Sequence, residues 1–388
     1  MLKLIMVLIK RTIEKQIESY LSSDSNKIFF IWGPRRSGKT TVLTELSKML
    51  SVRLFNFDVI SDRQLFVPTR EALSKIAQDN KTILIDEVQN YPEGTVALKI
   101  LHDEFKIKII ATGSSELRQK TKDFDTLAGR SIEHYCLPLS TYEIFENSKV
   151  SRVEEDSFVR KMQMDLQIFG SYPEVYLATN LTESEKIDLL QDLFDKYVLK
   201  DIIDIYDLKN EKLAKDILTK IALQIGSEVS VREIANDLKA TVSTVSNYIE
   251  IFIKNYILIP LPSFKTNIRR AVSENRKLFF YDLGIRNILV RDFRELKLRP
   301  DKGGVFENFI VSEIEKQKRN LKAKQTVYFY REYGGLEVDL VLEDYKKQYK
   351  TLEIKSSDKK VKDIFPIKHD FEIINPTNYF EVIKNSIK

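Results

Sequence analysis

Cysteine is almost missing from this chain. Of 388 residues only Cys136 is one, so an internal disulfide is excluded and a reducing interior suits the protein. An apolar run long enough to cross a bilayer, roughly 20 residues, is missing as well. The opening MLKLIMVLIK is apolar but meets charge at once, and no small-residue cleavage site follows it. Neither a membrane anchor nor a signal peptide is predicted, and the chain is expected in the cytoplasm. There is no internal repeat, no low-complexity tract and no clear flexible linker. Nor is there a large excess of one charge: 62 Lys+Arg against 57 Asp+Glu leave +5. That balance permits nucleic-acid contact without requiring it, and a Lys- and Ile-rich composition bias accounts for it equally well. What remains is an ordinary globular composition, 43% hydrophobic and 31% charged, in a chain too long for one typical core.

Short apolar runs alternate with helical segments through the first part of the chain. After a helix around residues 10–21 come KIFFIW (27–32), VRLFNF (52–57), TILID (82–86) and KIKIIATG (106–113), each bounded by polar or Gly/Pro punctuation. The alternation predicts an α/β layer with a parallel sheet. Residues 155–226 read as helical, and 277–289 as a strand followed by a helix. The tail has a helix at 303–318 and strands near 326–331, 336–342 and 350–355. Soft boundaries divide the chain into 1–150, 151–211, 212–265 and 266–388.

The sharpest motif is Gly33-Pro34-Arg35-Arg36-Ser37-Gly38-Lys39-Thr40, a complete G-x-x-x-x-G-K-[ST] between a strand and a helix that continues through Thr41. The glycines let successive N–H groups face phosphates, and the helix N-terminus adds positive potential. Lys39 can bridge the β- and γ-phosphates, and the Thr40 hydroxyl can hold Mg²⁺. The strand TILID delivers Asp86 to its carboxyl end as a second Mg²⁺ ligand, and Glu87 stands next to it to polarise an attacking water. ATP and Mg²⁺ are therefore the expected cofactors, and ATP hydrolysis the expected chemistry.

A strand lies between these two motifs and another ends in ATGSS, an arrangement that resembles the AAA+/STAND group of P-loop ATPases. In that group Ser114 and Ser115 stand where a polar γ-phosphate sensor is usual; capping of a strand end is the plainer role. More specifically, IWGPRRSGKTT, ILIDEVQNYP, ATGSS, LAGR, LPLSTYEIF and SYPEVYLA together resemble a prokaryotic ATPase family that couples an AAA-type domain to a C-terminal domain of unknown function. The resemblance covers nearly the whole chain. It implies an AAA-type P-loop domain, then a helical and winged-helix region, then an α+β nuclease-like domain. It makes Arg130 a candidate transition-state arginine or subunit contact, an unpaired surface arginine being the bland alternative. One departure is Ser171, where the family more often has a second glycine.

Residues 229–262 read as two short helices and a strand. Ser230 and Glu233 form an S-x-x-E cap, Lys239–Thr241 turn the chain, and Val242, Val245, Ile249 and Phe252 keep helical spacing. The outward Ser243, Thr244, Ser246 and Asn247 would suit a major groove. The second helix carries only Lys254 as a cation, however, and phosphate contacts supply most DNA affinity. DNA is one expected partner of this unit; packing within the chain, a protein partner or a second copy are the others.

In the tail, Glu337 and Asp339 alternate on one strand, Glu353 and Lys355 on the next, and Glu307 lies on the helix before both. Carboxylates at one strand end can share a divalent metal, and a lysine on the same face can support developing negative charge. The order resembles the PD-(D/E)xK nuclease-like core, with Glu307, Asp339 and Glu353 as metal ligands and Lys355 as the lysine. A polar strand face with alternating charges reads the same way. Three functions follow: an ATPase that drives or gates its C-terminal domains, an ATP-gated DNA-binding protein or DNA nuclease, and a nucleotide-switched signalling scaffold with an inactive tail.

Overall fold

Every residue of the strand Ile28–Trp32 is buried, as a strand covered by helices on both faces must be. In the computed structural model this strand, β1, sits inside a five-stranded sheet. The structure describes residues 8–114, 127–199, 203, 208, 210–265, 276–332, 335–356 and 362–387. They fall into two compact units, divided between Pro138 and Leu139.

The first unit adds β2 (Leu54–Asn56), β3 (Thr82–Asp86), β4 (Lys108–Gly113) and β5 (Ser131–Tyr135) in the order β2-β3-β4-β1-β5. All the pairings are parallel. Trp32 lies beside Gly113 and Tyr135, and Asn56 beside Asp86, so the carboxyl ends of the strands form one edge. Helix α1 (Thr12–Ser22) buries Ile13, Ile17 and Tyr20 at helical spacing, and α2 (Lys39–Leu50) buries Val42, Leu43 and Leu46. Both stripes close over Phe29, Ile31, Leu84 and Ile110. The alternating runs thus form the expected parallel α/β layer, and with the phosphate loop between β1 and α2 this is the P-loop NTPase fold.

The second unit begins with helices, including Glu155–Phe169, Glu183–Leu193 and Glu211–Leu223. Val231–Asp237 and Val242–Lys254 follow as a helix–turn–helix. Their caps are Ser230, which accepts from Glu233 N at 3.2 Å, and Thr241, which accepts from Thr244 N at 3.1 Å. Lys239 makes the turn at φ +52. Strand β6 (Leu258–Pro262) then pairs antiparallel with β7 (Arg276–Phe280). Residues 276–280 thus complete a two-stranded ribbon with β6, beside the helix–turn–helix. One continuous apolar core joins these helices and both strands, from Phe169 to Leu289.

The long helix Lys302–Leu321 leads into the second sheet: β8 (Thr326–Arg331), β9 (Glu337–Glu343), β10 (Tyr349–Ile354) and β11 (Asp370–Ile374). The order is β11-β10-β9-β8, antiparallel except for the parallel β10–β11 pair. Among the described residues no helix is long and apolar enough to cross a membrane.

Candidate functional site

Two clusters bring sequence-predicted residues together, one in each unit. The first lies on the carboxyl edge of the parallel sheet. There the chain leaves β1 at Gly33 and enters α2 at Lys39. A Cβ on Gly33 would stand 2.0 Å from the Cys136 carbonyl oxygen, so only glycine lets the loop lie this close to the end of β5. Gly38 takes φ +101, a region open to glycine, and supplies no side-chain cap to α2. The first turn of α2 also carries no acidic residue. Its N–H groups are thus left to an external anion. Arg35 is half-buried and Arg36 exposed at φ +61, forming the outer rim, and Thr41 is exposed.

Lys39 is buried, and its ammonium donates to the Gly33 and Pro34 carbonyls at 2.9 and 2.8 Å. Burial pushes its pKa below the ordinary lysine value, opposed first by the Glu87 carboxylate and then by Cys136 and Asp86. The Thr40 hydroxyl donates to Asp86 Oδ2 at 2.7 Å, and Thr112 donates to the other carboxylate oxygen. Oxygen donors of this kind suit Mg²⁺. Glu87, one residue beyond β3, stands at φ +54, an uncommon conformation for a side chain with a Cβ. Its carboxylate accepts from Gln89, whose amide also donates to Ser114 Oγ at 3.1 Å and accepts from Ser114 N at 3.3 Å. Gln89 therefore ties the predicted base to the end of β4. Sequence reasoning passed over both Gln89 and Thr112; their signal is position, at the carboxyl ends of neighbouring strands. Ser115 lies outside the described residues.

Arg130 is placed elsewhere. It directly precedes β5, and its carbonyl accepts from Ile28 N at the amino end of β1. One strand length, roughly 15 Å, therefore separates it from the phosphate loop of its own chain. Its Nε donates to both carboxylate oxygens of Asp103, at 2.8 and 3.0 Å, and with His102 holds that carboxyl well below its usual range.

The second cluster gathers all four residues singled out in the tail. The pairing of Leu352 with Leu340 carries Glu353 beside Asp339 at the end of the ladder, and Ile354 N donates to Asp339 Oδ2 at 2.7 Å. Lys355 binds Glu353 at 2.8 Å and Asp339 at 3.4 Å. The long helix contributes Glu307, and carboxylate oxygens of Glu307, Glu337 and Asp339 lie within 4.8 Å of one another. Between them stands Lys277 of β7, only 2% exposed, at 2.9 Å from Glu307 and paired also with Glu337. Its position is fixed by Asn308, whose amide group donates to and accepts from the Phe280 backbone at 2.7 Å, docking β7 on the long helix. Arg331 joins Glu337 to Glu228.

Charges of alternating sign thus run through the cluster. Burial pushes Glu307 up to about 7, with Lys277 opposing and Asp339 adding to the rise. Burial likewise takes Glu353 to about 7, raised further by Asp339 and opposed by Lys355. For Lys277 burial acts downward, but the Glu307 and Glu337 carboxylates reverse it and leave the ammonium above its ordinary value. Lys277 carries no motif in the sequence and is recognisable only from the packing of β7.

Comparisons with known proteins agree with this layout. Residues 25–145 match an AAA domain, residues 160–301 a domain of unknown function (DUF8612), and residues 302–378 a second domain of unknown function (DUF4143). An uncharacterized protein of Methanocaldococcus jannaschii is 25% identical over 367 residues, covering 87% of this chain and 80% of the relative. An uncharacterized protein of Haemophilus influenzae is 25% identical over 292 residues, 69% of this chain and 72% of the relative. Among solved structures the chain is similar to a Walker-type ATPase of Pyrococcus abyssi, with 17% identity, TM-score 0.43, and coverage of 73% of this chain and 96% of that one. Sheet order, phosphate loop and domain match together make the amino-terminal unit a P-loop ATPase domain, followed by a helical and mixed-sheet region.

Proposed function

We propose that this chain is a Mg²⁺-dependent ATPase whose nucleotide state drives or gates the helix–turn–helix and the tail. The observation that carries the proposal is the contact between Thr40 Oγ1 and Asp86 Oδ2 at 2.7 Å, at the mouth of a loop whose amides have no side-chain cap. Amides of residues 35–40 receive the β-phosphate, and Lys39 leaves the Gly33 and Pro34 carbonyls to bridge β- and γ-phosphates. Thr40 and Asp86 hold Mg²⁺, which when bound neutralises charge on the phosphate oxygens. Glu87 orients the attacking water and takes its proton. Gln89 links Glu87 to Ser114, so a γ-phosphate near Ser114 acts on the base through one side chain. Arg130, at the far end of the sheet, serves as a subunit contact rather than as a transition-state arginine for its own chain's site.

The test is ATP turnover in Lys39→Ala and Glu87→Gln. Loss in both is expected; unchanged turnover in both refutes the reading.

A second reading concerns the tail. The convergence of Glu307, Asp339, Glu353 and Lys355 on one sheet end supports a PD-(D/E)xK-like core, and the antiparallel ribbon after the helix–turn–helix supports a winged helix. Lys277 supports the inactive form of that core, a scaffold in which an ammonium already neutralises the carboxylates. Mn²⁺-dependent DNA cutting by the wild-type chain that disappears in Glu353→Ala would establish the nuclease instead. Cutting that survives Glu353→Ala would remove these residues from it.

A further inference from the structure

A phosphate loop binds through backbone amides, and each amide is aimed only as well as its peptide plane is held. Arg11, the residue just ahead of α1, is 6% exposed and reaches the back of this loop. One terminal nitrogen of its guanidinium donates to the Ser37 carbonyl at 2.5 Å and lies 3.3 Å from Cys136 Sγ; the other donates to the Leu137 carbonyl at 2.6 Å. Ser37 is itself buried, and its hydroxyl donates to the Pro34 carbonyl at 2.8 Å.

The geometry of the peptide unit gives these contacts a consequence. A trans peptide is planar and sets its C=O and N–H on opposite sides. The Ser37 carbonyl shares its peptide with the Gly38 N–H. Anchoring that carbonyl behind the loop therefore turns the Gly38 N–H toward the concave side, where the phosphates lie. Gly38 has no Cβ to restrict its backbone and stands at φ +101, so its preceding peptide plane depends on an outside hold. The hold is itself anchored. Leu137 is the second residue past β5, and the neighbouring Cys136 carbonyl is the one that Gly33 lies against. Lysine would hold this contact less firmly, because two different guanidinium nitrogens reach the two carbonyls in a rigid planar fork, whereas an ammonium is a single point on a flexible stem.

We propose that Arg11 is a positioning residue of the nucleotide site, presetting the Ser37–Gly38 peptide so that its N–H receives the β-phosphate of ATP or ADP. The inference rests on the ATP-site reading given above. Arg11 itself touches no nucleotide.

The test uses the full chain carrying Arg11→Met or Arg11→Lys, with the dissociation constant of a fluorescent ADP analogue as the readout and nucleotide-free thermal unfolding beside it. Arg11→Met is expected to weaken ADP binding about tenfold, the scale of losing one oriented hydrogen bond, and Arg11→Lys by a few-fold. A purely structural residue would lower the unfolding temperature while leaving the Kd of the folded protein where it was, and that result overturns the inference. If Arg11→Met does not fold, Arg11→Lys decides alone: it keeps the charge but loses the fork, and wild-type affinity in it is contradictory. Failure of the wild-type chain to bind ADP would instead defeat the ATP-site reading, and the Arg11 proposal with it.

Discussion

Both charged clusters have a buried lysine at their centre, and the company of the two lysines differs. Lys39 rests on the Gly33 and Pro34 carbonyls, which are neutral dipoles; Lys277 rests on the Glu307 and Glu337 carboxylates. Burial leaves the first below its ordinary pKa, whereas the carboxylates lift the second above it. A cation that hydrogen-bonds only to dipoles, with the pull of Glu87 and Asp86 too weak to offset burial, gains when an anion arrives. A cation already matched by carboxylates must be displaced before anything else can bind there. The same residue type therefore marks a receptive site in one unit and a self-neutralised site in the other.

Four substitutions or conditions press on that contrast. Lys39→Ala should have the largest effect, a loss of ATP turnover on the order of 10³-fold, read by phosphate release. Retained turnover would put the receptive site elsewhere. Glu87→Gln should lower turnover by roughly 10²-fold and leave nucleotide binding intact, which separates water activation from phosphate capture. Parallel losses in binding and turnover would break that separation.

In the tail the expected effects fall on stability. Lys277→Met leaves the half-buried Glu307 without its ammonium, while Glu337 keeps Arg331, at a cost of about 3 kcal/mol at neutral pH. Adding Glu307→Gln should recover part of it, as chemical denaturation of the two variants would show. If Lys277→Met unfolds like wild type, the tail is not self-neutralised in the sense drawn above.

The smallest effect is pH-dependent. Glu307 and Glu353, raised to about 7 from an ordinary 4.5, bind protons more tightly folded than unfolded. Their contribution is full below about 4.5 and fades as pH rises through 7, so each of the two should cost the tail about 2.5 kcal/mol of stability between pH 5 and pH 8. Thermal unfolding of Glu307→Gln and Glu353→Gln should show a flatter profile. A stability that climbs over this range would contradict the assignment.

How far the sequence could be read tracks how local each interaction is. Gly33 to Thr40 is one contiguous turn, and β1, β3 and β4 are unbroken apolar runs, so the loop and the strands around it were legible while Gln89 and Thr112 at their ends were not. Asp339, Glu353 and Lys355 were legible because side chains two apart share a strand face and a hairpin returns one strand beside the other. Lys277 was not, since its partners lie 30 and 60 residues further on and the apolar residues around it read only as a buried strand. Arg11 hid for the same reason: its acceptors are 26 and 126 residues away, and a basic residue ahead of a helix looks like surface. Strand β11 also escaped notice, because DFEII is short, half-polar and paired on a single side. Arg130 shows the opposite limit, since its family motif was recognisable while its place at the amino end of the sheet was not.

The most direct test of the receptive site is calorimetric titration of Mg·ATP into the wild-type chain and into Lys39→Ala. Saturable binding at one site per chain in the wild type, lost or strongly weakened in Lys39→Ala, is the predicted result. Equal binding by both proteins, or none by the wild type, would contradict it.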